Sequence, residues 1–281
     1  MVETNRRLSE FSTFGIGGPI RYCVAVHSAE ELKQALSTAK QQNLPFLVIG
    51  KGSNSLFSDA GFDGFVILNK IDHCIWHSDR VDVGAGYSFS LLGSQSARKG
   101  FSGLEFASGI PGSVGGAVFM NAGANGQDVA AVIDSVDTID PDGNKRTWTL
   151  ADLIFGYRTS PFQTMPTIIV GAIFRLTPKS EARETQLKII AYRKATQPLQ
   201  EKSIGCIFRN PCKALPAGAL IEQCGLKGLS VGDAAVSTIH ANFIINKGSA
   251  TASDVVALIA EIRRLVYEQR RIELEPEIRI I

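Results

Sequence analysis

The sequence has no long apolar run. Its densest, Ile168 to Phe174, falls far short of the roughly 20 residues that a membrane-spanning helix needs. The opening MVETNRRLSEFSTFG lacks the apolar centre of a signal peptide. A soluble, unexported protein with no membrane partner is therefore expected. Cysteine is scarce: Cys23, Cys74, Cys206, Cys212 and Cys224 are odd in number and contain no CxxC pair. That argues against a disulfide framework and fits the reducing cytoplasm. An excess of one charge is missing too, with 29 basic against 27 acidic residues, so nothing demands nucleic acid. A Walker loop would need glycine at 45 and a hydroxyl at 52, where Pro45 and Gly52 stand. His73, Cys74 and His77 lie close together without an evident fourth ligand, so no metal site is expected.

What is present is an ordinary folded composition, 44% apolar and 20% charged over 281 residues, enough to bury a sizeable core. Ser28 with Glu31 forms a capping box ahead of Leu32, Ala35, Leu36 and Ala39, which share one helical face. Strands are expected at 21–26, 46–50, 64–68 and around Val81 and Val83. The glycine-rich stretch 100–126 is too rich for a regular helix or central strand. A hairpin turning at PDGN joins 132–140 to 146–149, and another strand is expected at 167–176. After Pro178 a helix runs to about Thr196 with Leu187, Ile190 and Ala191 on a shared face, which places a domain boundary near 178. Beyond it come a helix from Pro216, a strand at 241–246 and a long helix from Ser253 to about Arg271.

Two glycine clusters carry the chemistry. GKGSNS at 50–55 follows an apolar strand, where glycines let backbone amides approach an anion and Ser53 and Asn54 add donors; a tight strand-to-strand turn explains it equally well. GIPGSVGGA at 109–117 and MNAGA at 120–124 offer close-approach glycines with Ser113 and Asn121 as donors. Two such clusters suit an extended dinucleotide, FAD rather than NAD in a Rossmann unit. Three further segments hold reactive candidates, each with a plainer reading. Arg158, beside Tyr157, can grip a carboxylate or is a solvated loop arginine. Cys206 can donate a proton or is an inert small apolar residue. Glu277 is fixed and partly buried, or is an exposed strand end.

Taken together, TFGIGGP, GKGSN, GLEFASGIPGSVGGAVFMNAGA, YRTSPF, QPLQEKSIGCIFRNP, IHANFIIN and LEPEIRI occur in an order and spacing that resemble the UDP-N-acetylenolpyruvoylglucosamine reductases, in their shorter subgroup, over nearly the whole chain. The resemblance implies an α+β fold. It consists of an FAD-binding domain of the vanillyl-alcohol-oxidase-like (PCMH) class in two subdomains, 1–72 and 73–178, and a C-terminal substrate domain, 179–281. It implies a UDP-N-acetylmuramate dehydrogenase of peptidoglycan precursor synthesis: NADPH reduces FAD, and UDP-N-acetylglucosamine enolpyruvate then takes the hydride. The FAD is non-covalent, since no RxGGH-type attachment segment is present, and the expected protein is a monomer.

The implied cofactor contacts are Gly50, Lys51, Gly52, Ser53, Asn54 and Ser55, then Ile110, Pro111, Gly112, Ser113, Gly115 and Gly116, with Asn121 and Ala122 nearby. Arg158 stabilises charge growing on the substrate carboxylate, Glu277 completes the site, and Cys206 protonates the remaining carbon. Tyr157, Arg209, Asn210 and His240 contact substrate. Two positions depart from the usual pattern: many members have serine where Cys206 stands, and glycine or glutamate at Lys51. Two rivals remain. Another oxidase of the same flavin fold would lack the trio Arg158, Cys206 and Glu277, and a nucleotide-binding protein without chemistry would take no hydride from NADPH.

Overall fold

Ser28 starts the first long helix because its hydroxyl accepts a hydrogen bond from the Glu31 N–H at 3.1 Å, satisfying one of the donors a helix start leaves open. The Glu31 carboxylate accepts from the His27 N–H at 2.7 Å, one residue ahead of the position a standard capping box uses. The helix Ala29–Gln41 buries Leu32, Ala35, Leu36 and Ala39, the expected face. Each buried leucine contributes on the order of 1.5–3 kcal/mol.

The computed structural model describes residues 1–212 and 214–281, which divide into two units. The first contains Met1–Thr4, Arg21–Lys51 and Asp63–Tyr192; the second contains Asn5–Ile20, Gly52–Phe62 and Arg193–Ile281.

The first unit has two apolar cores. In one, the helix Ala29–Gln41 packs on a sheet in which Phe62–Asn69 lies between Pro19–Val26 and Phe46–Ile49. Phe46–Ile49 runs parallel to its neighbour, with Phe46 opposite Phe65. The other core lies under a five-stranded antiparallel sheet in the order Lys145–Thr149, Ile133–Ile139, Ile168–Arg175, Arg80–Gly84 and Cys74–Trp76. Phe89, Leu92, Phe106, Val114, Val118 and Phe174 pack there. The hairpin at PDGN forms as expected: Asp140 Oδ1 accepts from the N–H groups of Asp142 and Asn144, both at 2.9 Å, and fixes the turn.

Two expectations need correction in this unit. The glycine-rich stretch does contain a regular helix, Val114–Phe119. Ser113 Oγ accepts from the Gly116 N–H at 3.3 Å, and this cap together with close packing against the sheet offsets the low helix propensity of glycine. The helix Ala182–Thr196 buries Ala182 and Gln186, whereas Leu187 and Ala191 are exposed and Ile190 is half-buried. A small residue and an amide, four positions apart, make the inward face; Gln186 Nε2 reaches Ser94 Oγ at 3.4 Å. Apolarity alone therefore named the wrong stripe.

The second unit assembles its core from distant parts of the chain. Phe14, Ile16 and Leu56 pack with Ile207, Phe208, Leu274 and Ile278 and with the buried face of the helix Ala252–Arg270. That face carries Val255, Leu258, Ile259, Ile262 and Val266, as the sequence periodicity expected, with Leu265 half-buried. A small antiparallel sheet, Ser230–Val231, Ala234–Val236 and Ile244–Asn246, completes the unit with the helix Ala217–Gln223. The strand expected at 241–246 is shorter because Ala241 and Asn242 belong to a turn closed by the Phe243 N–H donating to His240 O at 2.9 Å. Arg279–Ile280 lies parallel to Ser55–Leu56.

The start of the long helix is capped twice. Thr251 and Asp254 form a reciprocal box, and Asp59 accepts from the Ala252 N–H at 2.8 Å and the Ser253 N–H at 3.0 Å. Partial burial pushes the Asp59 carboxyl up, but these bonds, with one from the Ser253 hydroxyl, outweigh it and hold it below the ordinary value of 3.8. Asp59→Ala is expected to lower the unfolding free energy by about 1 kcal/mol in urea titrations. A carboxyl with a depressed folded-state pKa stabilises above its unfolded value, so the gap between wild type and variant should be full at neutral pH and close as pH falls below 3.8.

Candidate functional site

Gly50 and Lys51, the start of the first glycine cluster, meet the second cluster in the first unit. A Cβ built on Gly50 would lie 2.2 Å from Ser113 Oγ, so only glycine permits this approach. The second cluster is tied to the residues that follow the strand Arg80–Gly84. The Val114 N–H donates to Tyr87 O at 2.9 Å, the Gly115 N–H to Ala85 O at 2.8 Å, and the Gly109 N–H to Ser90 Oγ at 2.7 Å. A Cβ on Gly115 would come within 2.9 Å of Ala85 Cβ. Gly116, Pro111 and Lys51 stay exposed, Gly112 and Ile110 are half-buried, and the buried Ser108 hydroxyl has no hydrogen-bond partner. Partial desolvation of Lys51, with the Lys70 ammonium second, lowers its pKa from the ordinary lysine value. A backbone cradle without side chains, edged by hydroxyls and a lysine, fits the diphosphate of FAD.

Within GKGSNS the residues divide. Gly52, at φ +57°, accommodates Phe11 O, which a Cβ would meet at 2.2 Å. Asn54 holds the chain's end: its Nδ2 donates to Glu277 O at 3.3 Å, and its own carbonyl accepts from the Arg279 N–H at 2.9 Å. Ser55 is half-buried and pairs with Arg279. Local sequence offered no sign of these internal partners, which lie more than 200 residues away in Asn54's case.

Arg158 occupies a two-residue turn of the first unit. Gly156 and Thr159 exchange N–H to carbonyl bonds of 3.0 and 3.1 Å, leaving Tyr157 and Arg158 at the tip, Arg158 with φ +57°. Tyr157 is exposed, with the guanidinium carbon of Arg158 5.2 Å from its ring centre. Arg158 Nη2 donates to Gly123 O at 2.8 Å.

The segments that bear Cys206 and Glu277 run side by side in the second unit. Residues 206–209 run between two other segments. On one side Cys206 bridges Phe243, and the Ile207 N–H donates to Asn242 O at 2.8 Å. On the other the Glu277 N–H donates to Ile207 O at 2.7 Å and the Arg209 N–H to Glu275 O at 2.9 Å. The Asn242 side chain fixes the same segment, accepting from the Phe208 N–H at 2.9 Å and donating to Phe208 O at 2.8 Å. Sequence reasoning missed Asn242, although it stands within IHANFIIN.

Other expected contacts acquire defined partners. Arg209 Nη1 lies 3.5 Å from Glu275 Oε1, while its buried Nε has no hydrogen-bond partner. Asn210 Oδ1 accepts from the Ala217 N–H at 2.9 Å and caps the helix that begins there. His240 Nδ1 accepts from the Asn242 N–H at 3.2 Å, which selects the tautomer protonated at Nε2. Arg193, also missed, is coupled electrostatically to Cys206; burial lowers its pKa and Cys206 opposes that shift.

Two other features hold none of the expected site residues. A cleft of about 380 Å³ in the first unit is lined by residues including His27, His73, Asp137 and Arg146. The spacing GLSVG at 228–232 matches a serine-nucleophile pattern, but Ser230 lies on a two-residue strand of a hairpin with Ala234–Val236. It does not stand on a strand-to-helix elbow.

Comparison with known proteins points one way. Residues 20–148 match the FAD binding domain family and residues 197–281 match the UDP-N-acetylenolpyruvoylglucosamine reductase, C-terminal domain family. The chain is similar to the UDP-N-acetylenolpyruvoylglucosamine reductase of Protochlamydia amoebophila (strain UWE25), 54% identical over 99% of this chain and 93% of that one. The corresponding protein of Chlamydia felis (strain Fe/C-56) is 48% identical over 98% and 92%. Among solved structures, that of UDP-N-acetylenolpyruvylglucosamine reductase (MurB) from Thermus caldophilus superposes with a TM-score of 0.85, at 37% identity, covering 100% of this chain and 98% of that one.

Burial is the main cause that lowers the His240 pKa; Lys227 adds to it, while a backbone hydrogen bond and Glu222 oppose it. Histidine charged on protonation loses from burial, so its stabilising neutral form is favoured above the ordinary 6.5 and is given up only as pH falls below that value. NMR titration of the imidazole is expected to give a midpoint below 6.5. A midpoint above it would contradict the half-buried Nδ1-acceptor arrangement.

Proposed function

The chain belongs to the UDP-N-acetylenolpyruvoylglucosamine reductase family, and from that membership we propose that it reduces UDP-N-acetylglucosamine enolpyruvate to UDP-N-acetylmuramate with NADPH as the hydride donor. It is an FAD-dependent oxidoreductase of α+β fold. FAD, when bound, supplies the two-electron carrier that passes hydride between the two substrates. The observation that carries the proposal is the bond from the Glu277 N–H to Ile207 O, which places the segments bearing Cys206 and Glu277 side by side.

The residues divide the work as follows. The backbone around Gly50 and Ser113 to Gly116 holds the cofactor diphosphate, which its glycines, lacking Cβ atoms, admit closely. Arg158 binds the substrate carboxylate and offsets the negative charge that grows there as the methylene carbon gains hydride. Cys206 gives its thiol proton to the neighbouring carbon, so the double bond takes up hydride and proton while NADPH becomes NADP⁺. Glu277 fixes the reacting group beside that thiol. Tyr157, Arg209, Asn210 and neutral His240 contact the nucleotide, His240 through its Nε2 donor. Two FAD-binding subdomains, 1–72 and 73–178, and a substrate domain at 179–281 follow from the family membership, although the apolar cores cross these bounds: Phe14, Ile16 and Leu56 join the core of the last third, and Ile139, Ile168 and Val170 join that of the helix Ala29–Gln41. Peptidoglycan precursor synthesis is the process, and a cytoplasmic monomer the form, that this reading assigns. Among the described residues no helix is long and apolar enough to cross a membrane.

Anaerobic stopped-flow absorbance tests the proposal. NADPH is expected to bleach the bound flavin, and the enolpyruvyl nucleotide to restore its colour. In Cys206→Ala the second phase should slow by about 10²–10⁴-fold, the typical scale of general acid catalysis, while bleaching by NADPH persists. Bleaching without recovery would indicate a different oxidoreductase, and absence of flavin would refute the proposal.

A further inference from the structure

Asn121 was read from sequence as a donor to the cofactor, but its position in the fold points elsewhere. It is buried, 2% exposed, and sits at φ +41°, a left-handed conformation that asparagine tolerates better than most residues. Its side chain is committed within the protein. Nδ2 donates to Gly156 O at 2.8 Å and to Asp128 Oδ2 at 3.2 Å, and Oδ1 accepts from the Ala130 N–H at 2.9 Å. Its backbone N–H donates to Val118 O at 3.1 Å.

Gly156 is the first residue of the turn that carries Arg158. A non-glycine residue in the left-handed region costs on the order of 1–2 kcal/mol, so such a turn persists only where its surroundings restrain it. The restraints come from one short stretch of chain. Besides the Asn121 bond, Gln163 Nε2 donates both to Arg158 O and to Phe119 O at 3.0 Å, Ser160 Oγ donates to Phe119 O at 2.7 Å, and Arg158 itself reaches Gly123 O. Residues 119–123 are the continuation of the helix Val114–Phe119, whose first turn is capped by Ser113 beside Gly50.

We propose that Asn121 is a positioning residue that, with Gln163, holds the Arg158 turn in register with the cofactor cradle, and that it is not a ligand of the cofactor. This rests on the reading of Arg158 as the group that meets the substrate carboxylate. The inference has a kinetic signature: Arg158 serves only the second half of the cycle, so loosening its turn should leave cofactor binding and reduction by NADPH in place.

Asn121→Gly removes the side chain while keeping the left-handed backbone accessible, and Gln163→Met removes the second restraint with similar volume. For each, FAD affinity is measured by fluorescence titration of the apoprotein, and the two half-reactions by anaerobic stopped flow. Affinity and bleaching by NADPH should stay within about twofold of wild type, and reoxidation by the enolpyruvyl nucleotide should slow by about tenfold or more, as misplacement of a catalytic group does. The double variant should lose less than the product of the single effects, because both residues hold one turn. FAD affinity weakened by about tenfold, with both half-reactions slowed alike, would restore Asn121 as a cofactor ligand, and unchanged reoxidation would also overturn the proposal. If Asn121→Gly does not fold, Gln163→Met decides by the same readings. Arg158→Met separates the two inferences: if reoxidation is unaffected there, the reading of Arg158 fails, whatever Asn121 does.

Discussion

The first unit depends on a place where no side chain fits. Gly50 lies so close to Ser113 that a Cβ would stand 2.2 Å from the hydroxyl, and through this approach two glycine-rich segments more than 60 positions apart come together. The contact is possible because each cluster adjoins an element that fixes it. Gly50 ends the strand Phe46–Ile49, and Ser113 caps the helix Val114–Phe119 against residues 85–90. Backbone rather than side chain faces the cradle, which is what a diphosphate requires.

From Ser113 the same stretch of chain leads to the turn that carries Arg158. Gly123, whose carbonyl receives the arginine, stands ten positions after the cap. The cradle and the charged group are thus tied through one short helix and its left-handed continuation at Asn121. The second unit uses a comparable device. Asn242 grips both polar groups of Phe208, and the segment so fixed sets Cys206 beside the strand-like run that bears Glu277. In both units an asparagine turns its amide to backbone groups and so fixes the geometry of a neighbouring segment.

Local features of the sequence were readable because they depend on neighbours in the chain. Ser28 and the period of Leu32, Ala35, Leu36 and Ala39 specified a helix and its buried face, and PDGN specified its hairpin. The ordered set of motifs identified the family, which composition alone could not. What stayed hidden depends on distant partners. Gly52 reads as a phosphate glycine but accommodates Phe11 O, and Asn54 reads as a ligand donor but holds Glu277. Nothing near residues 5–20 or 52–62 signals that they join a core built largely from the last third of the chain. The helix Ala182–Thr196 turns Ala182 and Gln186 inward because its neighbour offers Ser94, a fact absent from its own periodicity.

The central claim is that the Gly50–Ser113 approach forms the cofactor cradle. FAD titration of the Gly50→Ala apoprotein, alongside its circular dichroism and thermal midpoint, tests this most directly. Forcing a methyl group into that gap displaces Ser113 at a cost of about 1–3 kcal/mol, so binding is expected to weaken by about tenfold or more with secondary structure retained. A folded Gly50→Ala protein that binds FAD as tightly as wild type would contradict the claim.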